Sequence, residues 1–181
     1  MTKTPPLPKL SEREGAAWVG FLRAHDLVTQ RLDAELRASN DLALSEFEIL
    51  LHLARAGGEK RMAQIAHDVV LTGGGVTRIV ARLEKLGYLT RRSCPKDGRG
   101  IFAVLTNAGW AKHRAAHAVH VEGVKRLFLR DTKQDELAVL SAFFDRMVAR
   151  TRAKEQGPDN ACALDEPTKK REAKSTHATR G

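Results

Sequence analysis

Apolar residues recur at three- and four-residue spacing over much of the chain, and that period predicts helices. Ser11 followed by Glu14 has the S-x-x-E form of a capping box and starts the first helix. From there Trp18, Phe21 or Leu22, His25, Val28 or Thr29, Leu32 and Leu36 mark one face of a long amphipathic helix ending near Asn40. Ser45 with Glu48 reads as a second capping box. It opens a buried helix through Phe47, Ile49, Leu50, Leu51, Leu53 and Ala54 that stops at Gly57-Gly58. A short third helix is expected over 62–70, with Met62, Ile65, Ala66 and Val69 facing inward. Thr72 is the expected N-cap of a fourth, which runs to about Leu86. Val76, Ile79, Val80, Leu83 and Leu86 form its apolar stripe, with Thr77, Arg78, Arg82 and Lys85 outside it. Gly87 supplies its C′ stop.

The period then changes. Residues 88–93 alternate as a strand, 94–100 are turn material, and 101–105 form a second strand. Together they predict a hairpin with a basic loop. Thr106-Asn107-Ala108-Gly109 opens a fifth helix, through His113, His117 and His120 towards Leu129. A sixth covers 133–152, with Leu137, Leu140, Phe143, Phe144, Met147 and Val148 inside. The expected fold class is mainly α (α+β): a winged helix-turn-helix at about 42–106 with a two-stranded wing, flanked by helices at 11–40 and 107–152. Residues 1–10 read as a flexible lead-in and 153–181, without aromatic residues or apolar period, as a disordered tail.

Composition narrows the class. The chain has 181 residues, enough for one ordinary domain with extensions. Two cysteines, Cys94 and Cys162, cannot staple a secreted disulfide scaffold, and no C-x-x-C pair suggests structural zinc. No apolar run approaches the ~20 residues of a membrane span, and residues 1–15 lack the apolar core of a secretory signal. A cytoplasmic protein without membrane partner is expected. No G-x-S-x-G, P-loop, G-x-G-x-x-G after a strand or H-E-x-x-H occurs, so neither an enzyme nor a cofactor is expected.

Charge selects the partner. The formal net charge is +9, of which +6 falls in residues 55–99. That segment is the helix-turn-helix and hairpin. The major groove of duplex DNA admits one helix that exposes side chains to base edges and phosphates. A basic wing tip fits the adjacent minor groove, where the potential is most negative. Arg99 and Lys96 stand at that tip, and Asp97 is suited to orienting an arginine rather than to meeting phosphate.

These residues also carry a resemblance. Val76-Thr77-Arg78, Arg82-Leu83-Glu84, Gly87, Pro95-Lys96-Asp97-Gly98-Arg99-Gly100, and Leu105-Thr106 with Gly109 resemble, in order, the core of the MarR family of bacterial transcriptional regulators. The resemblance covers roughly residues 11–150. It implies a homodimer interlocked by the first, fifth and sixth helices, and a pseudo-palindromic double-stranded operator. It implies a DNA-binding set of Thr72, Gly74, Thr77, Arg78, Arg82, Arg92, Lys96, Asp97 and Arg99. In such proteins a small aromatic or anionic effector binds between the dimerisation helices and the DNA-binding lobe, which directs attention to Trp18, His25, His52 and Arg61. The chain departs from the pattern at Gly73-Gly74-Gly75, where relatives carry polar side chains. Backbone N–H groups there remain able to hold a phosphate.

Other readings weigh less. His113, His117 and His120 share a helical face, but without companion ligands they read as half-buried polar residues near an interface or cleft, not as a metal site. Cys94 beside Arg91, Arg92 and Lys96 has the basic surroundings of a thiol sensor, against the plainer reading of a small residue before a turn. A protein-interaction module on a winged-helix scaffold is the alternative function, favoured by the glycine run and opposed by the arginine density.

Overall fold

The computed structural model describes residues 8–69, 75–93 and 100–153. Helix α1, Glu12–Asn40, is capped as expected: Ser11 Oγ accepts from the Glu14 N–H at 3.3 Å, and the Glu14 carboxylate accepts from the Ser11 N–H at 2.8 Å. Asp41 ends it in the left-handed region at φ 45°. The predicted apolar stripe is only half used. Leu32 and Leu36 are buried, whereas Trp18, Phe21, Leu22 and His25 are exposed. The reason is that only the second half meets helix α5, Asn107–Val124, where Leu32 lies so close to Gly123 that an added Cβ would come within 2.5 Å of it.

Helix α2, Leu44–Arg55, starts before the expected Ser45–Glu48 box. Leu42, Ala43 and Leu44 are buried and draw the chain inward there. Their freed donors are met by carboxylates: Asp33 accepts from the Leu44 N–H and Glu46 from the Ala43 N–H, each at 2.8 Å. The capping carboxylate is therefore Glu46, not Glu48. Gly57 and Gly58, both at positive φ, turn the chain at the far end.

Three residues that carried no expectation then form strand β1, Glu59–Arg61. Helix α3, Met62–Asp68, follows with Ile65 and Val69 buried and Met62 half-buried; Ala66, expected inside, is exposed because the short helix turns one narrow edge to the core. Helix α4, Val76–Lys85, has Gly75 as N-cap rather than Thr72, which lies outside the described residues. Glycine costs a helix up to ~1 kcal/mol per residue, so the helix begins where side chains begin. Gly87 stops it at φ 74°, with the Tyr88 N–H returning to the Leu83 carbonyl at 3.0 Å.

Strands β2, Leu89–Ser93, and β3, Ile101–Leu105, form the expected hairpin, but the sheet has three antiparallel strands in the order β1-β3-β2. Helix α5 runs on through one wide turn at Lys125–Leu129. The core, with Leu36, Leu42, Phe47, Ile49, Leu50, Leu53, Ile65, Val80, Leu83 and Leu89 closed to solvent, joins α1, α2, α3, α4 and the sheet. Each such side chain contributes roughly 1.5–3 kcal/mol.

The chain divides into two compact units after Thr132. The second contains helix α6, Gln134–Ala153. Leu137, Leu140, Phe144 and Met147 are half-buried, but Phe143 and Val148, expected inside, are exposed together with Val139. Within this unit the described residues offer no second element that could cover the stripe. No helix among the described residues is long and apolar enough to cross a membrane.

Candidate nucleic-acid interface

Helix α4 presents one face outward because three ties fix the other. Val76, Val80 and Leu83 are buried in the core. Arg82 Nε pairs with the Glu46 carboxylate of α2, 36 residues away in sequence. Glu46 is 5% exposed, while the Arg82 side chain is 59% exposed and reaches from this anchor to the surface. At the other end, Glu84 accepts from the Arg91 backbone N–H at 3.2 Å and from Arg91 Nε at 2.7 Å, which ties the helix to β2. The hydrogen bond from Arg91 holds the Glu84 carboxyl below the usual carboxylate range. What remains outward is Thr77, Arg78, Ala81 and Lys85, with Arg82 beside them. The rim of this helix is thus cationic, free of exposed bulky apolar groups before Leu86, and rigidly aimed.

The wing strands add two more guanidinium groups. Arg92 on β2 donates through Nη2 to Glu59 at 2.7 Å, and its guanidinium carbon lies 5.1 Å from the Phe102 ring centre. Arg61 on β1 lies over the same ring at 5.2 Å. The expected contacts Thr72, Gly74, Lys96, Asp97 and Arg99, and the thiol of Cys94, lie outside the described residues.

The root of the wing is a close joint. Thr106 caps α5, its Oγ1 accepting from the Gly109 N–H at 3.0 Å and donating to the Gly87 carbonyl at 2.6 Å. The Thr106 N–H donates to the Tyr88 carbonyl at 3.1 Å. A Cβ at Gly109 would stand 1.8 Å from that same oxygen. The L-T-x-x-G run is therefore a steric and hydrogen-bonding requirement for docking α5 on the end of α4 and the start of β2.

The four residues considered for an effector are spread over three elements. Trp18 and His25 share a face of α1 with Phe21 between them, ring centres 6.0 and 6.4 Å apart along the row. His52 is half-buried on α2, 4.0 Å from Glu48. Arg61 belongs to the wing sheet. No group of metal-ligating side chains that could hold an ion occurs among the described residues, and the three histidines of α5 make ring contacts instead. His113 stacks on Phe47 at 6.1 Å and on His117 at 5.4 Å, and His120 meets Phe47 at 4.7 Å. Both ring nitrogens of His113 are buried without a hydrogen-bond partner. Burial first, then the charges of His117 and Arg55, hold His113 and His120 below the usual imidazole range.

Sequence reasoning passed over Glu46, Glu84, Glu59 and Phe102. Each acts through a partner on another element, and only the R-L-E run at 82–84 carried a local signal.

Comparisons agree with this geometry. A model of the MarR family matches residues 40–100. The chain is 31% identical over 123 residues to the uncharacterised HTH-type transcriptional regulator YkoM of Bacillus subtilis strain 168, covering 66% of this chain and 78% of that one. It is similar in fold to AbsC, a MarR family transcriptional regulator from Streptomyces coelicolor, with a TM-score of 0.76 and 27% identity over 81% of this chain and 99% of that chain. It is similar too to Sco3205 of the same organism, a MarR family regulator solved in complex with DNA, with a TM-score of 0.74 and 27% identity over 84% and 97% of the two chains.

Proposed function

The chain belongs to the MarR family of winged-helix transcriptional regulators, and from that premise we propose that it is a homodimeric, sequence-specific repressor released from its operator by a small-molecule effector. The observation that carries the reading is α4: Val76, Val80 and Leu83 of its apolar stripe are buried, Leu86 at its end is exposed, and its outward face offers Thr77 and Arg78, flanked by Arg82. Arg78 and Thr77 meet base edges in the major groove, where each good bidentate pair discriminates by about 1–3 kcal/mol. Arg99, oriented by Asp97, enters the minor groove with Lys96 and Arg92 on flanking phosphates, and the Thr72–Gly74 stretch meets the backbone at the helix start.

A second copy of the chain covers the exposed apolar residues of α1 and α6, among them Trp18, Val19, Leu22, Val139 and Phe143. The two-fold axis then sets two recognition helices about one helical turn apart. An aromatic or anionic effector at the Trp18–His25 row, with His52, favours a dimer whose helices no longer match that spacing. Only differential affinity for the two states does this.

The test is binding to the DNA upstream of the chain's own coding sequence. If the dimer neutralises roughly 6–10 phosphates, affinity falls by about 10³–10⁵ between 50 and 200 mM salt. Arg78→Ala weakens specific binding at least roughly 10-fold and leaves the dimer intact. A flat salt response refutes DNA binding and leaves the protein-interaction module.

A further inference from the structure

The carboxylate of Glu46 serves two partners. One oxygen accepts from the Ala43 N–H and closes the first turn of α2; the other accepts from Arg82 Nε on α4. Closing a helix start needs one acceptor and no charge, so a glutamine amide would fill the first role. Only the second needs a carboxylate. Stability does not explain it, because a carboxylate taken out of water to meet one arginine returns little net stabilisation, and Glu46 is closed to solvent. Arg37 of α1 also feels this carboxylate, but its own Nε is held by Asp33 at 2.6 Å. Arg82 is the cation whose hydrogen bond meets Glu46.

On the outward side of α4 this sets Arg82 apart. Among the described residues Arg78 and Lys85 have no ion-pair partner, so their long side chains keep their rotamer freedom. Arg82 is gripped at Nε, which carries one of the five guanidinium donors. Its side chain is mostly exposed, which leaves the donors of the Nη groups within reach of an outside acceptor. A cation held in this way differs from a free one in two respects. Its charge is already balanced by Glu46, so it adds little to the salt-dependent attraction for any duplex. Its direction is set before contact, so a well-placed acceptor is met without freezing a loose side chain.

We propose that Glu46 is a positioning residue for DNA recognition: by holding Arg82 at Nε it makes that arginine an aimed hydrogen-bond donor, and so raises the preference for one sequence over other duplexes. This rests on the DNA-binding reading above. Glu46 itself, buried on α2, touches no DNA.

The experiment is fluorescence anisotropy of the full chain with two labelled duplexes of equal length, at one fixed salt concentration. One duplex is the sequence that the wild-type chain enriches from a random pool, and the other is a mixed sequence. Circular dichroism checks that each variant is folded. Glu46→Gln keeps an acceptor for the Ala43 N–H and releases Arg82. Freezing one long side chain on binding costs roughly 2–10-fold in affinity, so the preference for the enriched duplex falls by that factor per protomer. Affinity for the mixed sequence does not fall, since a negative charge has gone. A purely structural loss would weaken both duplexes together. Arg82→Met also lowers the preference, and in that background Glu46→Gln has no further effect on it. Glu48→Gln, an equal change of charge on the same helix, leaves the preference as it was. An unchanged preference in Glu46→Gln, a parallel loss on both duplexes, or the same loss in the Arg82→Met background overturns the positioning role while DNA binding stands. A pool that yields no preferred sequence overturns the sequence-specific reading itself. If Glu46→Gln does not fold, Arg82→Lys decides: its single nitrogen, engaged by Glu46, offers no second one to DNA, and an unchanged preference in that variant overturns the role.

Discussion

The pairing of Glu46 with Arg82 makes an asymmetric stability prediction. Glu46 is 5% exposed and its two carboxylate oxygens serve the Ala43 N–H and Arg82 Nε. Arg82 is mostly exposed. Removing the arginine therefore strands a buried carboxylate, whereas removing the carboxylate leaves an arginine that water can satisfy. Breaking a fully buried pair costs about 3–5 kcal/mol. One partner here is wet, so Arg82→Met, which keeps the alkyl packing, is expected to cost about 2–3 kcal/mol. Glu46→Gln retains an amide oxygen for the Ala43 N–H and loses only the charge-assisted bond, at about 1–1.5 kcal/mol. In the double variant no buried charge is left unpaired, so its cost stays close to that of Glu46→Gln alone, a coupling of about 2 kcal/mol. Urea unfolding of the four proteins, at a concentration that fixes the oligomeric state, measures each value. Equal, additive losses below about 0.5 kcal/mol for both single variants would show the pair to be an ordinary surface contact, and the anchoring of α4 to α2 would have to come from its apolar stripe alone.

Three further outcomes are expected. Gly109→Ala drives a Cβ into the backbone carbonyl of Tyr88, 1.8 Å away, with the Leu105 side chain also crowding it at 3.1 Å, so it lowers the melting temperature by more than about 10 °C; a loss within a few degrees would mean the joint has slack. His113 and His120 titrate below the usual imidazole range in the fold, so the unfolded chain binds protons first: stability is full above about pH 6.5 and is lost as pH falls below it. Melts at about pH 7.5 and 5.5 measure this, and in His113→Phe/His120→Leu the difference shrinks; an undiminished difference would assign it to other groups. Trp18→Glu puts a charge on the exposed apolar face of α1, and sedimentation is expected to show monomer in place of dimer; an unchanged sedimentation coefficient would remove that face from the interface.

The chain announces elements whose causes are local. Ser11 with Glu14, the Val76–Val80–Leu83 spacing, Gly87 and the Thr106–Gly109 run each specify structure within a turn or two of themselves, and each stands where the pattern puts it. The outward set on α4 follows directly, because fixing the apolar stripe fixes the opposite face. Non-local causes were illegible. Glu59–Arg61 is a strand because β3 offers it an edge, and three charged residues carry no alternation to reveal that. Ser45–Glu48 fits the capping pattern as well as any segment, but burial at 42–44 and the carboxylate of Asp33 move the start of α2. The stripe at Trp18, Leu22 and Phe143 records apolar faces that a single chain leaves open.

The joint at Thr106 and Gly109 has a mechanical consequence. Helix α5 has 18 residues, a rod about 27 Å long at 1.5 Å per residue. Its base is seated against Tyr88 and Gly87 with no clearance at Gly109, and Thr106 binds it to them through two hydrogen bonds. A lateral displacement of about 1 Å at its far end corresponds to a rotation of about 2° for a rod of that length. With the base so closely seated, such a rotation is expected to carry the root of the hairpin and the end of α4 with it. The long helix is thus a lever arm, and the glycine at its foot is what makes it stiff.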